Sequence, residues 1–291
     1  MRLLDQVFGQ SWAGGQSSDG NQRVNPALQQ KLEQAKLRYV LDEAISRQCF
    51  ELIRSDSGLL HPDNPMLRLP TGAFWLEWFS ETVPGEIAHR LGALVEGSSD
   101  GRSGRIASFW AARGSAAGES SVAIHFDLDD PMCPKCPGVS VRHSSFRHLN
   151  SLFARMRCAP ASSSSVSGSC WPGVQEEAEG IWFYLPLVLS FSVLLNSAGA
   201  VDERPSDLGR LNCIRIKRGR PPLLDHVEVR LRLGDVERQD RLGGGGARGM
   251  PRLHLVRGHV VSRRGATFWR SSHMRGDPTR AVASTTVRVT K

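Results

Sequence analysis

Between Asn25 and Ser55, the apolar residues Leu28, Leu32, Ala35, Leu37, Val40, Leu41, Ile45, Cys49, Phe50 and Ile53 recur at mostly helical intervals. Such spacing lines one face of a helix. Asn25 is a suitable N-cap and Pro26 suits the first helical position. The pattern therefore predicts one long amphipathic helix. It then breaks down. The stretch "LRLPTGAFWLEWFS" crowds Phe74, Trp75, Trp78 and Phe79 together among prolines. Aromatics packed this densely are core material, with a base-stacking platform as the functional alternative. Apolar and polar residues alternate over 105–112 and again over 121–128, around a Gly/Ala/Ser-rich turn. That reads as a β-hairpin.

From Ile181 to Val201 the chain carries no charge. The stretch is long enough to cross a bilayer, but Pro186, Ser190, Ser192, Asn196 and Ser197 dilute it. No Lys/Arg cluster marks a flank. Glu176, Glu177 and Glu179 stand where a soluble helix places its first-turn acids. A buried helix over about 174–198 is expected, and no membrane. A short basic helix follows, capped by Ser206 and ended by Gly219, then a half-buried strand over 225–233. "GGGGARG" is a flexible joint. Strands over 253–261 and 266–270 flank a turn at 262–265, and a last strand covers 284–290.

Together these elements predict an α+β fold. A long N-terminal helix and a buried central helix pack on small antiparallel sheets, with a C-terminal β-hairpin module. The expected organisation is a polar, glycine-rich disordered arm over 1–24 and an α+β region over 25–159. A flexible linker follows over 160–173, then a helix plus basic β-module over 174–291.

Charge sharpens this picture. The chain has 37 basic and 29 acidic residues, a net of +8. Residues 204–291 hold 20 basic and 7 acidic residues, leaving 17 and 22 for the rest. From Arg241 onward there are 11 basic residues and one acid, Asp277. A basic end of this kind is suited to a polyanion. Of the 37 basic residues 32 are arginine, whose planar fork grips phosphates bidentately. A GC-rich genome would produce the same bias.

Six cysteines with no secretory signal before them point to a cytoplasmic chain with free thiols. The Cys133–Cys136 pair has no second CxxC. His143, His148, Cys158 and Cys170 follow at spacings that fit no zinc module. The glycine joint lacks the Lys-Ser/Thr of a phosphate loop, and no Gly-x-Ser-x-Gly elbow occurs. No cofactor and no metal are expected.

The stretch "RLHLVRGHVVSRRGATFWRSSHMRGD", 252–277, carries the candidate chemistry. Its histidines are ligand types, but His254 and His259 lie five positions apart, on opposite faces of a regular strand. The candidate nucleic-acid contacts are Arg257, His259, Arg263, Arg264, Trp269, Arg270, His273 and Arg275. Arginines would hold phosphates and Trp269 would stack on a base. RNA or a single strand suits this better than a duplex groove, since no recognition helix is evident. Two alternatives stay open. One is a metal-dependent nuclease or other hydrolase, using His259, His273 and Asp277, or Asp127 and Asp129 beside His125, with Asp225 and Glu228 a weaker pair. The other is a protein-binding, anti-defence regulator that grips an acidic partner.

Several segments taken together, "LPTGAFWLEW", "SVLLNS", "LNCIRIKRGRPPLLDH" and "HLVRGH…FWRSSHMRGD", resemble a family of uncharacterised proteins of tailed phages, prophages and proteobacterial genomes. The set spans roughly two-thirds of the chain. The Arg-Gly-His…Trp ending is also similar to that of a phage anti-CRISPR family. The resemblance implies a phage or prophage setting and carries over no catalytic residue.

Overall fold

The computed structural model describes residues 2–12, 26–56, 58–80, 89–112, 115–132, 138–141, 144–161 and 173–231. Towards the C-terminus it describes 254–256, 259–263, 266–270 and 273–275. Two compact units result, one of residues 1–196 and 203–230, the other of 197–202 and 231–291.

The first unit is built on one sheet. Its elements are α1 (Leu3–Trp12), α2 (Pro26–Gln34), β1 (Leu37–Leu41), α3 (Glu43–Arg54), β2 (Gly72–Phe79), β3 (Arg90–Gly97), β4 (Ser103–Ala111) and β5 (Gly118–Asp127). Then come α4 (Asn150–Phe153), β6 (Met156–Pro160), α5 (Val174–Ile181), α6 (Tyr184–Asn196), β7 (Val201–Pro205), α7 (Gly209–Lys217) and β8 (Val227–Leu231). The eight strands run in the order β6-β5-β4-β3-β2-β1-β8-β7. β1 is parallel to both β2 and β8, whereas β2 through β6 pair antiparallel.

Strand alternation divides the core into two layers. Trp75 and Glu77 of β2 fall on one face, and Phe74, Leu76 and Trp78 on the other. On the first face α1 and α2 close over Trp75, Leu94 and Phe109 with Leu3, Leu4, Val7, Leu28 and Leu32. On the second, α6 meets the sheet through Tyr184 against Trp78 and Phe191 against Tyr39. β2 is buried on both faces, so its apolar run shows no period of two.

Three expectations need correction. The single long N-terminal helix is instead α2, β1 and α3. Leu37, Val40 and Leu41 satisfy a helical period, but they equally form the short apolar run of a central parallel strand. β1 finds its partners about 35 positions on, at Phe74, and about 190 positions on, at Val227. Asp42 is where the helix restarts: its backbone is extended and its carboxylate accepts the Ile45 N–H at 2.8 Å. The small antiparallel sheets are instead one large mixed sheet, because pairing of β1 with β8 leaves no local signal. The arm over 1–24 also begins with structure: α1 buries Leu3, Leu4, Val7 and Phe8. Residues 13–25 lie outside the described residues.

Other expectations match. β4 and β5 form the antiparallel hairpin. The helix expected over about 174–198 becomes α5 and α6, joined by a turn at Trp182 and Phe183, and is mostly buried inside the protein. Pro186 sits in the first turn of α6, where its missing N–H is harmless. Ser190 and Ser192 donate to the carbonyls of Pro186 and Leu189. Gly219, at φ +65°, follows α7 as expected. The cap of α7 is not Ser206, however; that hydroxyl accepts the His226 N–H. The linker residues 162–172, the CxxC at 133–136 and the strand expected over 284–290 lie outside the described residues.

Gly101 shows why one turn tolerates no side chain. It adopts φ +70°, and a Cβ there would lie 2.4 Å from the Leu69 carbonyl oxygen. Gly101→Ala is expected to cost on the order of 2 kcal/mol. A denaturant titration checks this; an unchanged midpoint would mean that the turn relaxes freely.

Candidate functional site

The C-terminal residues form β9 (His254–Val256), β10 (His259–Arg263), β11 (Ala266–Arg270) and β12 (His273–Arg275). β9 pairs with β12 and β10 with β11, both antiparallel. In each pair the two residue numbers sum to 529, from His254↔Arg275 through His259↔Arg270 to Arg263↔Ala266. The two strand pairs, each a two-stranded sheet, thus share one register. Of the strand expected over 253–261, residues 254–256 and 259–261 are strand, and 253, 257 and 258 lie outside the described residues.

The register sorts the predicted site residues. In the β10–β11 ribbon, His259 is opposite Arg270, and Arg263 is four positions along the same face. Trp269 is opposite Val260, on the other face. Arg270 is exposed. In the β9–β12 ribbon, His273 is opposite Val256 and Arg275 opposite His254. Arg257 and Arg264 lie outside the described residues, as does Asp277. His254 and His259 belong to different strands, and His259 and His273 are not register partners. Trp269 and the arginines of its own ribbon are on opposite faces, a separation invisible in a string that interleaves them.

The alternative catalytic groups have structural roles. Asp127 accepts the backbone N–H groups of Asp129 and Asp130, closing a turn at the end of β5. Asp129 binds Arg102 at 2.7 Å, and that guanidinium holds its carboxyl below the usual range. Burial, with Arg105 nearby, holds His125 below its ordinary value. Glu228 pairs with Arg230 at 3.1 Å. Among the described residues no group of three or more His, Cys, Asp or Glu is placed to hold a metal ion. Cys49 and Cys158 are buried free thiols, and burial pushes the Cys158 thiol up to about 12. At that value it is not a nucleophile near neutrality.

A second feature belongs wholly to the first unit. α1 and α2 pack mainly on β2, β3 and β4, which leaves the same face open over β1 and β8. There a cleft of about 780 Å³ forms. Four guanidiniums from distant parts of the sequence line it, Arg2 before α1, Arg90 of β3, Arg204 of β7 and Arg230 of β8, together with the carboxylates of Asp42, Asp207 and Glu228. Val40, Glu228 and Glu77 share this face, being register partners of adjacent strands. His226 is buried and accepts a hydrogen bond from Arg2. Burial first, and then Arg2, hold its imidazole below the usual value, so it is neutral. Arg90 bonds Glu77 at 2.8 Å and lies over the Phe79 ring at 4.7 Å.

Behind Arg2 sits Asp5, whose Oδ1 is buried without a hydrogen-bond partner. Burial raises its carboxyl above the ordinary value, Glu77 adds to this, and Arg2 opposes it. A carboxyl raised on folding contributes stability at pH below its unfolded value and loses it as pH rises through the folded one. Asp5→Asn is therefore expected to raise the melting temperature at pH 7. The gain should shrink as pH approaches 3.8, the ordinary carboxyl value. Melting curves at the two pH values decide this, and a lower melting temperature at pH 7 would contradict it.

The sequence singles out none of the four cleft arginines. Arg2, Arg90, Arg204 and Arg230 share no spacing, and only the sheet order brings them together. Comparison with protein families, with curated proteins and with solved structures returned no match.

Proposed function

We propose that this chain is a phage- or prophage-type accessory protein that binds nucleic acid, RNA or a single strand, through its C-terminal ribbon. The observation that carries this reading is the register of β10 and β11, which brings His259, Arg263 and Arg270 to one face. The segment holding them, from Arg241 to the last residue, has 11 basic residues and one acid. Guanidinium forks repeated along a ribbon fit a phosphodiester backbone, and a β-ribbon can follow a strand without a recognition helix. Trp269, on the opposite face, suits stacking on a base of a strand that wraps the ribbon.

The test is fluorescence anisotropy of the whole chain with labelled single-stranded RNA of about 30 nucleotides, from about 50 to 300 mM NaCl. Binding at low salt with a linear log–log loss as salt rises is the expected result. No binding at the lowest salt, or binding indifferent to salt, would sink the reading.

A further inference from the structure

We propose that the first unit carries its own phosphate-backbone track, running from the arginine cleft onto α7, and that it engages the same polynucleotide as the ribbon. This deepens the nucleic-acid reading and rests on it. Ser206, Asp207 and Leu208 line the cleft and lead directly into α7, with Asp207 the one acid at the junction. Between Leu208 and Leu224 the chain has five cations, Arg210, Arg215, Lys217, Arg218 and Arg220, and no acid.

α7 has no buried residue. A helix this exposed gains little from packing, so its geometry is held by hydrogen bonds. Asn212 bonds both the N–H and the carbonyl of Leu223, at 2.8 and 2.9 Å. Arg215 donates to the Pro221 carbonyl at 2.9 Å. Asn212 and Arg215, three apart, are thereby turned to the return loop. Helical periodicity then places Arg210 and Lys217 together on another face, Arg218 follows as the C-cap, and all three are exposed. Arg210 to Lys217 spans about 10 Å of helix, roughly the rise of three nucleotides. Leu211 and Ile214, 45% and 40% exposed, stand between these cations and offer apolar contact to sugars or bases.

A small anion would use one end of this array. A chain of regularly spaced phosphates uses all of it, from the four cleft guanidiniums to the helix. An acidic protein is the competing partner, and it differs in that its carboxylates are not evenly spaced. Two linked contact sites on one strand also raise the effective concentration for the second contact.

The experiment uses the full chain, labelled single-stranded RNA of about 30 nucleotides and a polyglutamate peptide of similar length. The variant Arg210→Ser/Lys217→Ser/Arg218→Ser alters side chains that face solvent, and circular dichroism confirms its fold. It is expected to weaken RNA binding about tenfold and to reduce the log–log salt slope by about 2, at about 0.7 per cation. The charge-keeping Arg210→Lys/Arg218→Lys variant should retain the slope. An unchanged slope in the serine variant, with binding still lost on neutralising Arg263 and Arg270, would overturn this inference and leave the ribbon reading standing. If the unaltered chain binds no RNA, both fail. Polyglutamate binding as tight as RNA would assign the track to an acidic protein instead.

Discussion

Replacing Glu77 by alanine is expected to cost about 3–5 kcal/mol, enough to unfold a large share of a marginal domain. Glu77 is 1% exposed, yet its carboxylate is fully engaged. It accepts the N–H of Leu3 and of Leu4, both at 2.9 Å, and Nη1 of Arg90 at 2.8 Å. The first two donors are first-turn N–H groups of α1, which no helical carbonyl can satisfy. The carboxylate also meets the positive end of the helix dipole. Glu77 is thus the anchor that holds α1 over the sheet, and it neutralises Arg90 at the cleft wall. Alanine would strand two buried N–H groups and a half-buried guanidinium at once. Glu77→Gln keeps the shape and one acceptor, so it should cost visibly less. Denaturant unfolding gives the energies, and hydrogen exchange of the α1 amides locates the loss. An alanine variant within about 1 kcal/mol of the parent would show that water replaces the carboxylate there.

His226 contributes to the pH dependence with the sign opposite to that of Asp5. Its imidazole is held below 6.5, so folding favours the neutral ring. The associated stability is present above that value and is lost as pH falls through and below it. Stability should therefore decline from pH 7 to pH 5, and His226→Asn should flatten that slope. An unaltered slope in the variant would assign the decline elsewhere, with His125, also held low, as the next group to test.

What could be read from the residues alone was local. The β4–β5 hairpin was visible because its two strands are neighbours and one face alternates. The buried character of α6 was visible because its serines and proline dilute a span without adding charge. β1 was not visible: Leu37, Val40 and Leu41 fit a helical period yet belong to a central strand, and only pairing with distant chain decided it. Asp42 was the available signal, an N-cap inside what reads as continuous helix. The same limit applies to the sites. The arginine-rich ribbon could be found by counting charge. The cleft could not, because Arg2, Arg90, Arg204 and Arg230 are united by sheet order.

Reversing charge on the ribbon should produce the largest functional effect. Arg263→Glu/Arg270→Glu is expected to reduce affinity for single-stranded RNA on the order of a hundredfold or more. Each charge-assisted hydrogen bond to phosphate is worth about 1.5–3 kcal/mol, and the introduced carboxylates add repulsion. The choice of residues follows from the register. His259, Arg263 and Arg270 share a face, so the two substitutions change one surface rather than two. Trp269 provides the internal comparison because it is opposite Val260, on the other face. If the strand lies on the arginine face alone, Trp269→Ala changes affinity by less than about threefold. If the strand wraps the ribbon and a base stacks there, the loss reaches about 1–3 kcal/mol. The two outcomes separate a one-sided electrostatic contact from a clasp. A double reversal that left affinity and salt slope unchanged would remove the ribbon from the interface, whatever Trp269 does.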